Sequence, residues 1–191
     1  MRVWILPAIL AALVVGGPIV YQRAKHTEYR NFRVVDPGAM YRSGQMTPAG
    51  FARVAREFGI RTVVSLRETK DDTGVLEDQF EADYCAANGL AFYRQSPADW
   101  EPVNGVVPGD ANVREWMRIL ADPATERPIL VHCFAGIHRT GAHVATYRIA
   151  YDGWSPAEAI AEMKTKGNSR TTFADNLLRY LGNYAAPSAR P

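Results

Sequence analysis

Residues 132–141 carry the side chains best suited to chemistry, and they read His-Cys-Phe-Ala-Gly-Ile-His-Arg-Thr-Gly. Five residues separate Cys133 from Arg139. The apolar run at 128–131 predicts a buried strand before this segment, and residues 140–150 predict a helix after it. A short loop with a glycine between a strand and a helix N-terminus gathers backbone N–H groups and the positive end of the helix dipole, which together bind anions.

Cys133 and Arg139 are suited to act on a phosphate held in such a cradle. Helix N-termini and nearby cations lower the pKa of a cysteine from about 8.5, so Cys133 is expected to be a thiolate at neutral pH. The planar guanidinium of Arg139 can bind two phosphate oxygens, and Gly136 lets the backbone turn closely around the anion. A nucleophile, N–H donors and a guanidinium around one tetrahedral anion predict phosphoryl transfer.

The segment resembles the phosphate-binding loop of the cysteine-dependent protein tyrosine phosphatase superfamily, whose signature is His-Cys, five residues, then Arg and Ser or Thr. The ending Arg139-Thr140-Gly141 and the central Gly136 are similar to its dual-specificity branch, in the bacterial and atypical form. Softer similarities at 41–45 and 59–67 extend the resemblance over about residues 38–181. It implies a phosphoric monoester hydrolase that needs no metal or other cofactor and acts on phosphotyrosine, with phosphoserine and phosphothreonine as further targets in proteins.

The resemblance also implies a role for each loop residue. Cys133 attacks phosphorus and forms a phosphocysteine, and Thr140 donates its hydroxyl to the thiolate when that intermediate is hydrolysed. His132 is expected to orient the loop and not to act as a base. The predicted phosphate-binding residues are Phe134, Ala135, Gly136, Ile137, His138 and Arg139.

The leaving group of a phosphate ester needs a proton, because an alkoxide or phenolate leaves poorly at neutral pH. The resemblance places the donor in the loop at residues 95–110, and Asp99 lies 34 positions before Cys133. Residues 98–102, Ala-Asp-Trp-Glu-Pro, are similar to the acid loop of lipid phosphatases in the superfamily. Asp99 is therefore the predicted general acid. Glu101 and Asp110 are the alternatives, although Asp110 is predicted to cap a helix over 111–120.

Three other interpretations of the loop are weaker. A zinc site formed by His132, Cys133 and His138 lacks the four ligands at paired spacing that structural zinc requires. A rhodanese-type sulfur-transfer loop is usually one residue shorter than this one. A non-catalytic membrane module that binds phosphate would usually lose the Cys or the Arg, and both are present here.

The substrate is less well defined by the sequence. Phe134 and Ile137 stand where relatives directed at lipids and polyphosphates tend to carry Lys, which argues against a highly anionic substrate. A phosphoinositide or inositol phosphate nevertheless stays open as the alternative to a phosphoprotein. Arg42, Arg67 and Arg170 are candidates to line the pocket, but arginines at such positions are usually just solvated.

Composition narrows the class of partner and the compartment. The chain has 191 residues and a formal net charge of +2, with acids and bases interspersed, so no basic stripe indicates nucleic-acid binding. Its two cysteines cannot form a disulfide framework, and Cys133 must stay reduced, which predicts a reducing compartment. Cys85 is predicted to lie in the core, with a protective disulfide to Cys133 as the alternative.

Residues 3–20 are uncharged, and at 1.5 Å per residue they span roughly 27 Å as a helix, enough to cross a bilayer core. Basic residues follow this run, so the positive-inside rule predicts a single-pass membrane protein with a cytoplasmic catalytic domain. A cleaved signal peptide is the alternative. The predicted organisation is an anchor at 1–21, a tether at 22–37, a phosphatase domain at 38–184 and a loose tail at 185–191.

Between the tether and the tail, helical and strand patterns alternate. Thr47-Pro48 predicts a helix start and Gly59 its end, and Ser155 with Glu158 predicts a capping box. Such alternation predicts an α/β fold in which a central, mostly parallel sheet is flanked by helices.

Overall fold

A computed structural model describes residues 28–167 and 174–185. Five strands and six helices lie within these two ranges. In chain order they are β1 (Arg33–Asp36), β2 (Met40–Gly44), α1 (Pro48–Glu57), β3 (Thr62–Ser65), α2 (Gln79–Asn88), β4 (Ala91–Arg94), α3 (Gly109–Ala121), β5 (Ile129–Cys133), α4 (His138–Tyr151), α5 (Pro156–Lys166) and α6 (Asp175–Gly182).

The strands form one mixed sheet in the order β1-β2-β5-β3-β4. Only β1 is antiparallel to its neighbour, so the predicted α/β fold with a mostly parallel sheet is confirmed. Strand β5 is central, with Cys133 opposite Gly44 of β2 and His132 opposite Ser65 of β3. The carboxyl ends of three parallel strands therefore meet around Cys133, where ligands bind in open α/β sheets.

Alternation along β5 divides the core between the two faces of the sheet, because successive strand residues point to opposite sides. Val131 and Cys133 pack with Trp116 of α3 and with residues of α4. Leu130 packs on the other face with α1 and with Cys85 of α2. Helices α5 and α6 bury a third apolar cluster against α4. Among the described residues, helices thus pack on both faces of the sheet, and the loop after Cys133 lies at the carboxyl end of the parallel strands.

The local signals for two helices are confirmed. The Thr47 hydroxyl accepts a hydrogen bond from Gly50 N–H at 3.1 Å, and Pro48 opens α1. Ser155 and Glu158 form both bonds of the capping box at the start of α5. These caps satisfy N–H groups that the first helical turn leaves unpaired.

The boundary of the domain is the main correction. Residues 22–37 were predicted to be a tether, but residues 33–36 form strand β1, and Tyr29 and Phe32 pack against the core around Phe51. Because β1 lies at the sheet edge, it is only partly buried and can include charged residues. These charged residues interrupt the apolar pattern by which a strand is predicted from sequence. The folded domain therefore includes residues that the sequence assigned to a linker.

No helix within residues 28–167 and 174–185 is long and apolar enough to cross a membrane. The predicted anchor at 3–20, the first part of the predicted tether, Arg170 and residues 186–191 of the predicted tail lie outside the described residues.

Candidate active site

Cys133 ends β5, residues 134–137 form a loop, and α4 begins at His138. The helix therefore starts two residues before the position predicted from sequence, and Arg139 lies in its first turn. We call residues 133–139 the phosphate loop. The phosphate loop lies at the carboxyl end of the parallel strands, and the N-terminus of α4, which carries the positive end of the helix dipole, follows it directly.

Donors from outside fix the orientation of the phosphate loop. Three consecutive loop carbonyls each accept one hydrogen bond: Phe134 O from Gln45 N–H at 3.0 Å, Ala135 O from Asn31 Nδ2 at 2.8 Å, and Gly136 O from Arg42 Nη2 at 2.9 Å. Across a trans peptide plane, a carbonyl and the following N–H point in opposite directions. The N–H groups of residues 135–137 are therefore turned away from these donors, and Gly136 N–H donates to Cys133 Sγ at 3.2 Å.

Gly136 must be glycine for two reasons. Its φ of +71° lies in the left-handed region, which residues with a Cβ rarely adopt. A Cβ at this position would also lie 2.4 Å from Gly44 N and 2.4 Å from Ser43 C, inside the backbone of β2. The loop is thus packed against the end of β2 without room for a side chain.

The surroundings of Cys133 stabilise its thiolate. Burial by itself raises the pKa of the thiol, but the hydroxyl and N–H of Thr140, the Gly136 N–H and the charge of Arg139 together outweigh it and lower the pKa below its ordinary value. The Thr140 hydroxyl is fully buried and makes no regular hydrogen bond with any described residue. It is therefore not engaged elsewhere and can act on the sulfur.

His132 points away from the thiol, as alternation along β5 requires. Its Nε2 lies 2.7 Å from Glu81 Oε2, and both side chains are buried on the opposite face of the sheet. Burial alone would lower the pKa of His132, but the Glu81 carboxylate outweighs it and the net pKa is raised. His132 thus joins β5 to α2, and its Nδ1 makes no hydrogen bond to any described residue.

Arg139 is half-buried at the mouth of the loop, and its Nη1 donates to the Leu66 carbonyl at 2.5 Å. Its own carbonyl contacts His143 Nδ1 at 2.9 Å. Burial lowers the pKa of His143 to about 4, so this imidazole is neutral at physiological pH. No local sequence pattern distinguishes His143, because it lies within the helix predicted at residues 140–150.

Arg42 and Arg67 were expected to be solvated, and that expectation is wrong. Their exposed fractions are 3% and 5%. Burial lowers the pKa of Arg42 to about 10, and its guanidinium holds the Gly136 carbonyl. Arg67 forms an ion pair with Glu77. Both arginines belong to the site. Asn31 also belongs to it, because it donates to the Ala135 carbonyl, although the sequence predicts a tether at this position.

The three candidate acids lie in or beside residues 99–109, which we call the acid loop. The Asp99 carbonyl accepts from Gly109 N–H at 2.9 Å, which closes the base of the loop. Glu101 accepts a hydrogen bond from Asn176 of α6. Helix α3 begins at Gly109, so Asp110 lies inside its first turn and is not the cap predicted from sequence.

Asp110 is also engaged as a side chain, because its Oδ1 accepts from the Tyr180 hydroxyl at 2.8 Å and it pairs with Arg114. The Asp99 carboxylate is exposed and hydrogen bonds to no residue that the structure describes. Of the three candidates, Asp99 alone has a carboxylate that is not committed to a neighbour.

A cavity of about 330 Å³ lies between the acid loop and α6, with Trp100, Pro102, Tyr180 and Tyr184 in its walls. It is separate from the phosphate loop. Within the described ranges, no group of three or more His, Cys, Asp or Glu side chains is arranged to hold a metal ion.

Cys85 is free and buried among the apolar residues under the other face of the sheet. Burial, and then the charge of Glu81, raise the pKa of its thiol to about 12. Cys85 and Cys133 lie in separate clusters on opposite faces of the sheet, so this arrangement does not favour a disulfide between them.

The chain matches a family model described as DSP-PTPase phosphatase fused to NAD+ kinase over residues 20–179. It is 29% identical over 174 residues to dual specificity protein phosphatase TpbA of Pseudomonas aeruginosa, covering 85% of this chain and 71% of TpbA. The crystal structure of P. aeruginosa TpbA superposes with a TM-score of 0.60 at 25% identity, over 81% of this chain and 85% of that one.

Two further phosphatase structures share the fold at lower identity. The core catalytic domain of the PP-IP phosphatase Siw14 from S. cerevisiae gives a TM-score of 0.61 at 21% identity, covering 81% of this chain and 85% of that one. PTPMT1 gives 0.58 at 24% identity, covering 79% and 91%. Crystal structures exist of TpbA with pTyr and of PTPMT1 with PI(5)P.

Proposed function

The chain belongs to the DSP-PTPase phosphatase family, whose members are cysteine-dependent phosphatases, and we propose that it hydrolyses phosphotyrosine in proteins through a phosphocysteine intermediate, with phosphoserine and phosphothreonine as further substrates. The observation that carries this proposal is the phosphate loop itself. Its carbonyls accept hydrogen bonds from donors outside the loop, so its N–H groups point in the opposite direction, toward Cys133 Sγ. The pKa of the Cys133 thiol is lowered.

The first step is an in-line attack of the Cys133 thiolate on phosphorus. The S–P bond forms as the bond from phosphorus to the ester oxygen breaks, and Asp99 gives its proton to that oxygen. Arg139 and the N–H groups of the loop bind the three equatorial oxygens, where charge redistributes in the transition state. The free carboxylate of Asp99 in this structure supports its assignment over Glu101 and Asp110.

The second step hydrolyses the phosphocysteine. Asp99, now a carboxylate, takes a proton from water, whose oxygen attacks phosphorus and releases inorganic phosphate and the thiolate. Thr140 donates its hydroxyl to the departing sulfur, a role supported by the way Thr140 lowers the pKa of Cys133. The cycle ends with a thiolate on Cys133 and a proton on Asp99.

Turnover of p-nitrophenyl phosphate in the presence of a metal chelator tests the reaction class. We expect hydrolysis by the wild type, none by Cys133→Ser, and a covalent phosphoryl group on Cys133 in acid-quenched samples. Binding of phosphate without turnover by the wild type would favour the non-catalytic module instead. Transfer of sulfane sulfur without phosphatase activity would favour the rhodanese-type alternative.

Selective alkylation tests the state of the thiol with a control inside the same molecule. At a pH below the ordinary pKa of a cysteine thiol, iodoacetamide should modify Cys133, whose pKa is lowered, faster than Cys85, whose pKa is raised to about 12. Inorganic phosphate should protect Cys133 from the reagent. Peptide mapping after digestion distinguishes the two sites, and equal labelling of both would contradict the proposed thiolate.

The choice between phosphoprotein and inositol phosphate rests on relatives that point both ways. TpbA is named a dual specificity protein phosphatase, whereas Siw14 is named a PP-IP phosphatase and PTPMT1 is crystallised with PI(5)P. The higher sequence identity to TpbA supports the phosphoprotein. A matched panel of phosphopeptides, phosphoinositides and inositol phosphates would decide by kcat/KM. Membrane attachment through residues 3–20 stays a prediction from sequence.

A further inference from the structure

Phe134 directly follows the nucleophile and is exposed to 48%, which is high for a large apolar side chain in a functional loop. Two guanidinium groups cover it. The Cζ of Arg30 lies 3.8 Å from the centroid of its ring, and that of Arg67 lies 4.7 Å away. Both distances are within the range of cation–π attraction, so the ring acts as a platform for two positive charges.

Local backbone geometry places Arg30 at the phosphate loop. The Arg30 carbonyl accepts from Gly44 N–H at 2.6 Å, and its stem crosses Gly44 so closely that a Cβ there would lie 2.9 Å from Arg30 Cγ. Asn31 follows with a φ of +50°, a conformation that Asn tolerates, and its side chain holds the Ala135 carbonyl. This turn fixes Arg30 beside the residue that follows Cys133.

The two arginines differ in how many of their donors are used. Arg67 is buried and forms an ion pair with Glu77, so part of its guanidinium is already bound to a carboxylate of the chain itself. Arg30 is only partly buried and makes no ion pair with any residue in the described ranges. A guanidinium stacked on an aromatic ring keeps its in-plane N–H groups available for an anion.

Arg67 is also electrostatically close to the catalytic residues. Burial lowers the pKa of its guanidinium, the positive charge of Arg139 lowers it further, and the Cys133 thiolate acts in the opposite direction. The platform therefore extends positive potential from the phosphate loop outward. Phe134 and Ile137 of the loop are uncharged, and Arg30 and Arg67 supply positive charge from outside it.

We propose that Arg30, held on Phe134 beside Arg67, forms a second anion subsite that binds a side-chain carboxylate next to the phosphotyrosine of the substrate. This inference deepens the proposed function and rests on it. Arg67 already binds the Glu77 carboxylate, and Arg30, which lies over the same Phe134 ring, has a guanidinium that pairs with no carboxylate of the described residues. The enzyme should therefore prefer phosphotyrosine flanked by Asp or Glu.

The test compares two phosphotyrosine peptides that differ only in Glu or Gln at the flanking positions. For the wild type, kcat/KM should be about fivefold higher for the Glu peptide through a lower KM, the size of a favourable exposed ion pair. Added salt should shrink the difference, because exposed charges are screened. Arg30→Met should bring the ratio close to one, and Arg30→Lys should restore only part of it, since Lys lacks the planar fork.

Two further variants separate the subsite from a general loss of charge or fold. Arg53→Met is the matched control, because Arg53 also lies over an aromatic ring, Tyr29 at 5.7 Å, and pairs with Glu28, and neither of these partners belongs to the phosphate loop. Arg53→Met should keep the wild-type ratio of kcat/KM between the Glu and Gln peptides.

Phe134→Leu removes the aromatic platform, so it should lower this ratio while the protein still melts cooperatively.

The outcomes distinguish this inference from the proposed function. If the wild type cleaves neither peptide nor p-nitrophenyl phosphate, the proposed function fails. If the wild type cleaves both peptides with equal kcat/KM, or if Arg30→Met keeps the preference, the subsite alone is overturned. If Arg30→Met instead lowers only the turnover of inositol bisphosphates, the carboxylate assignment is overturned in favour of a second phosphate.

Discussion

The phosphate loop is held by hydrogen bonds from residues outside it, whereas the acid loop is closed by hydrogen bonds between its own residues. Every carbonyl from Phe134 to Gly136 accepts a hydrogen bond from a donor outside the loop, and Cys133 is buried. The acid loop is closed on itself by the bond from Gly109 to Asp99 and by paired bonds between Val103 and Val106. Its Asp99 carboxylate is left exposed.

This difference matches what each loop must do in the proposed reaction. A set of donors that stabilises a transition state must be fixed before the substrate arrives, because reorganisation at that moment would cost free energy. A general acid must instead meet different leaving groups and exchange its proton with water. We therefore expect substitutions in the phosphate loop to be poorly tolerated and those in the acid loop to depend on the substrate.

Arg139→Lys should give the largest loss. The substitution keeps the charge but replaces a planar fork with a point charge that cannot bind two equatorial oxygens at once. We expect kcat/KM to fall by about 10³-fold, the upper range for loss of a transition-state donor. Steady-state kinetics on p-nitrophenyl phosphate measure it, with circular dichroism to verify the fold. Activity within tenfold of the wild type would refute the assigned role.

Two glycine substitutions compare the loops at the same backbone conformation. Gly136 and Gly105 have φ of +71° and +79°, but a Cβ on Gly136 would enter the backbone of β2, whereas nothing lies within 4 Å of one on Gly105. Gly136→Ala should lower kcat/KM by more than about 10²-fold, because it displaces the donors. Gly105→Ala should cost about 1 kcal/mol of unfolding free energy, the strain alone, with little change in rate.

Thermal melting and kinetics on both proteins provide the measurements. Equal losses of activity in the two variants would mean that backbone strain, and not packing against β2, makes Gly136 necessary. The comparison would then no longer support a fixed phosphate loop.

The phosphate loop can be predicted from the sequence, but the residues that hold its backbone in place cannot. The spacing from His132 to Gly141 is local, so a contiguous motif reveals it together with the strand and helix on either side. Arg42, Asn31 and Arg30 act from elsewhere in the chain, through contacts that exist only once β2 pairs with β5. Nothing in their local pattern separates them from solvated residues, so neither the burial of Arg42 nor strand β1 can be predicted from sequence.

Asp99→Asn tests the acid loop through the leaving group. For phosphoserine peptides, whose leaving alkoxide needs a proton, we expect kcat to fall by about 10²-fold. For aryl phosphates with strongly acidic phenols the loss should be less than about tenfold, because those phenolates leave without help.

Glu101→Gln and Asp110→Asn serve as matched controls for Asp99→Asn. Each removes one carboxylate charge from the same region, but both side chains are already bonded, to Asn176 and to Tyr180 respectively. A dependence on the leaving group in either control, and not in Asp99→Asn, would move the assignment of the acid.

Tyr180→Phe should give the smallest effect and tests what positions the acid loop. The Tyr180 hydroxyl donates to Asp110 Oδ1 at 2.8 Å, and its ring lies 5.0 Å from that of Trp100, the neighbour of Asp99. Burial raises the pKa of Tyr180 to about 12, so the phenol stays a donor at physiological pH. Loss of this one bond should lower the free energy of unfolding by about 1 kcal/mol.

Because the Phe ring keeps its contact with Trp100, we expect turnover of phosphoserine peptides by Tyr180→Phe to fall by no more than about threefold, less than the rate equivalent of one full hydrogen bond. Tyr184→Phe is the control, since its buried hydroxyl has no hydrogen-bond partner among the described residues and its removal should be neutral or slightly stabilising. Urea denaturation of the two variants gives the difference. Equal stability would mean that the hydrogen bond from Tyr180 of α6 to Asp110 of α3 contributes little, and that ring packing alone holds Trp100 of the acid loop against α6.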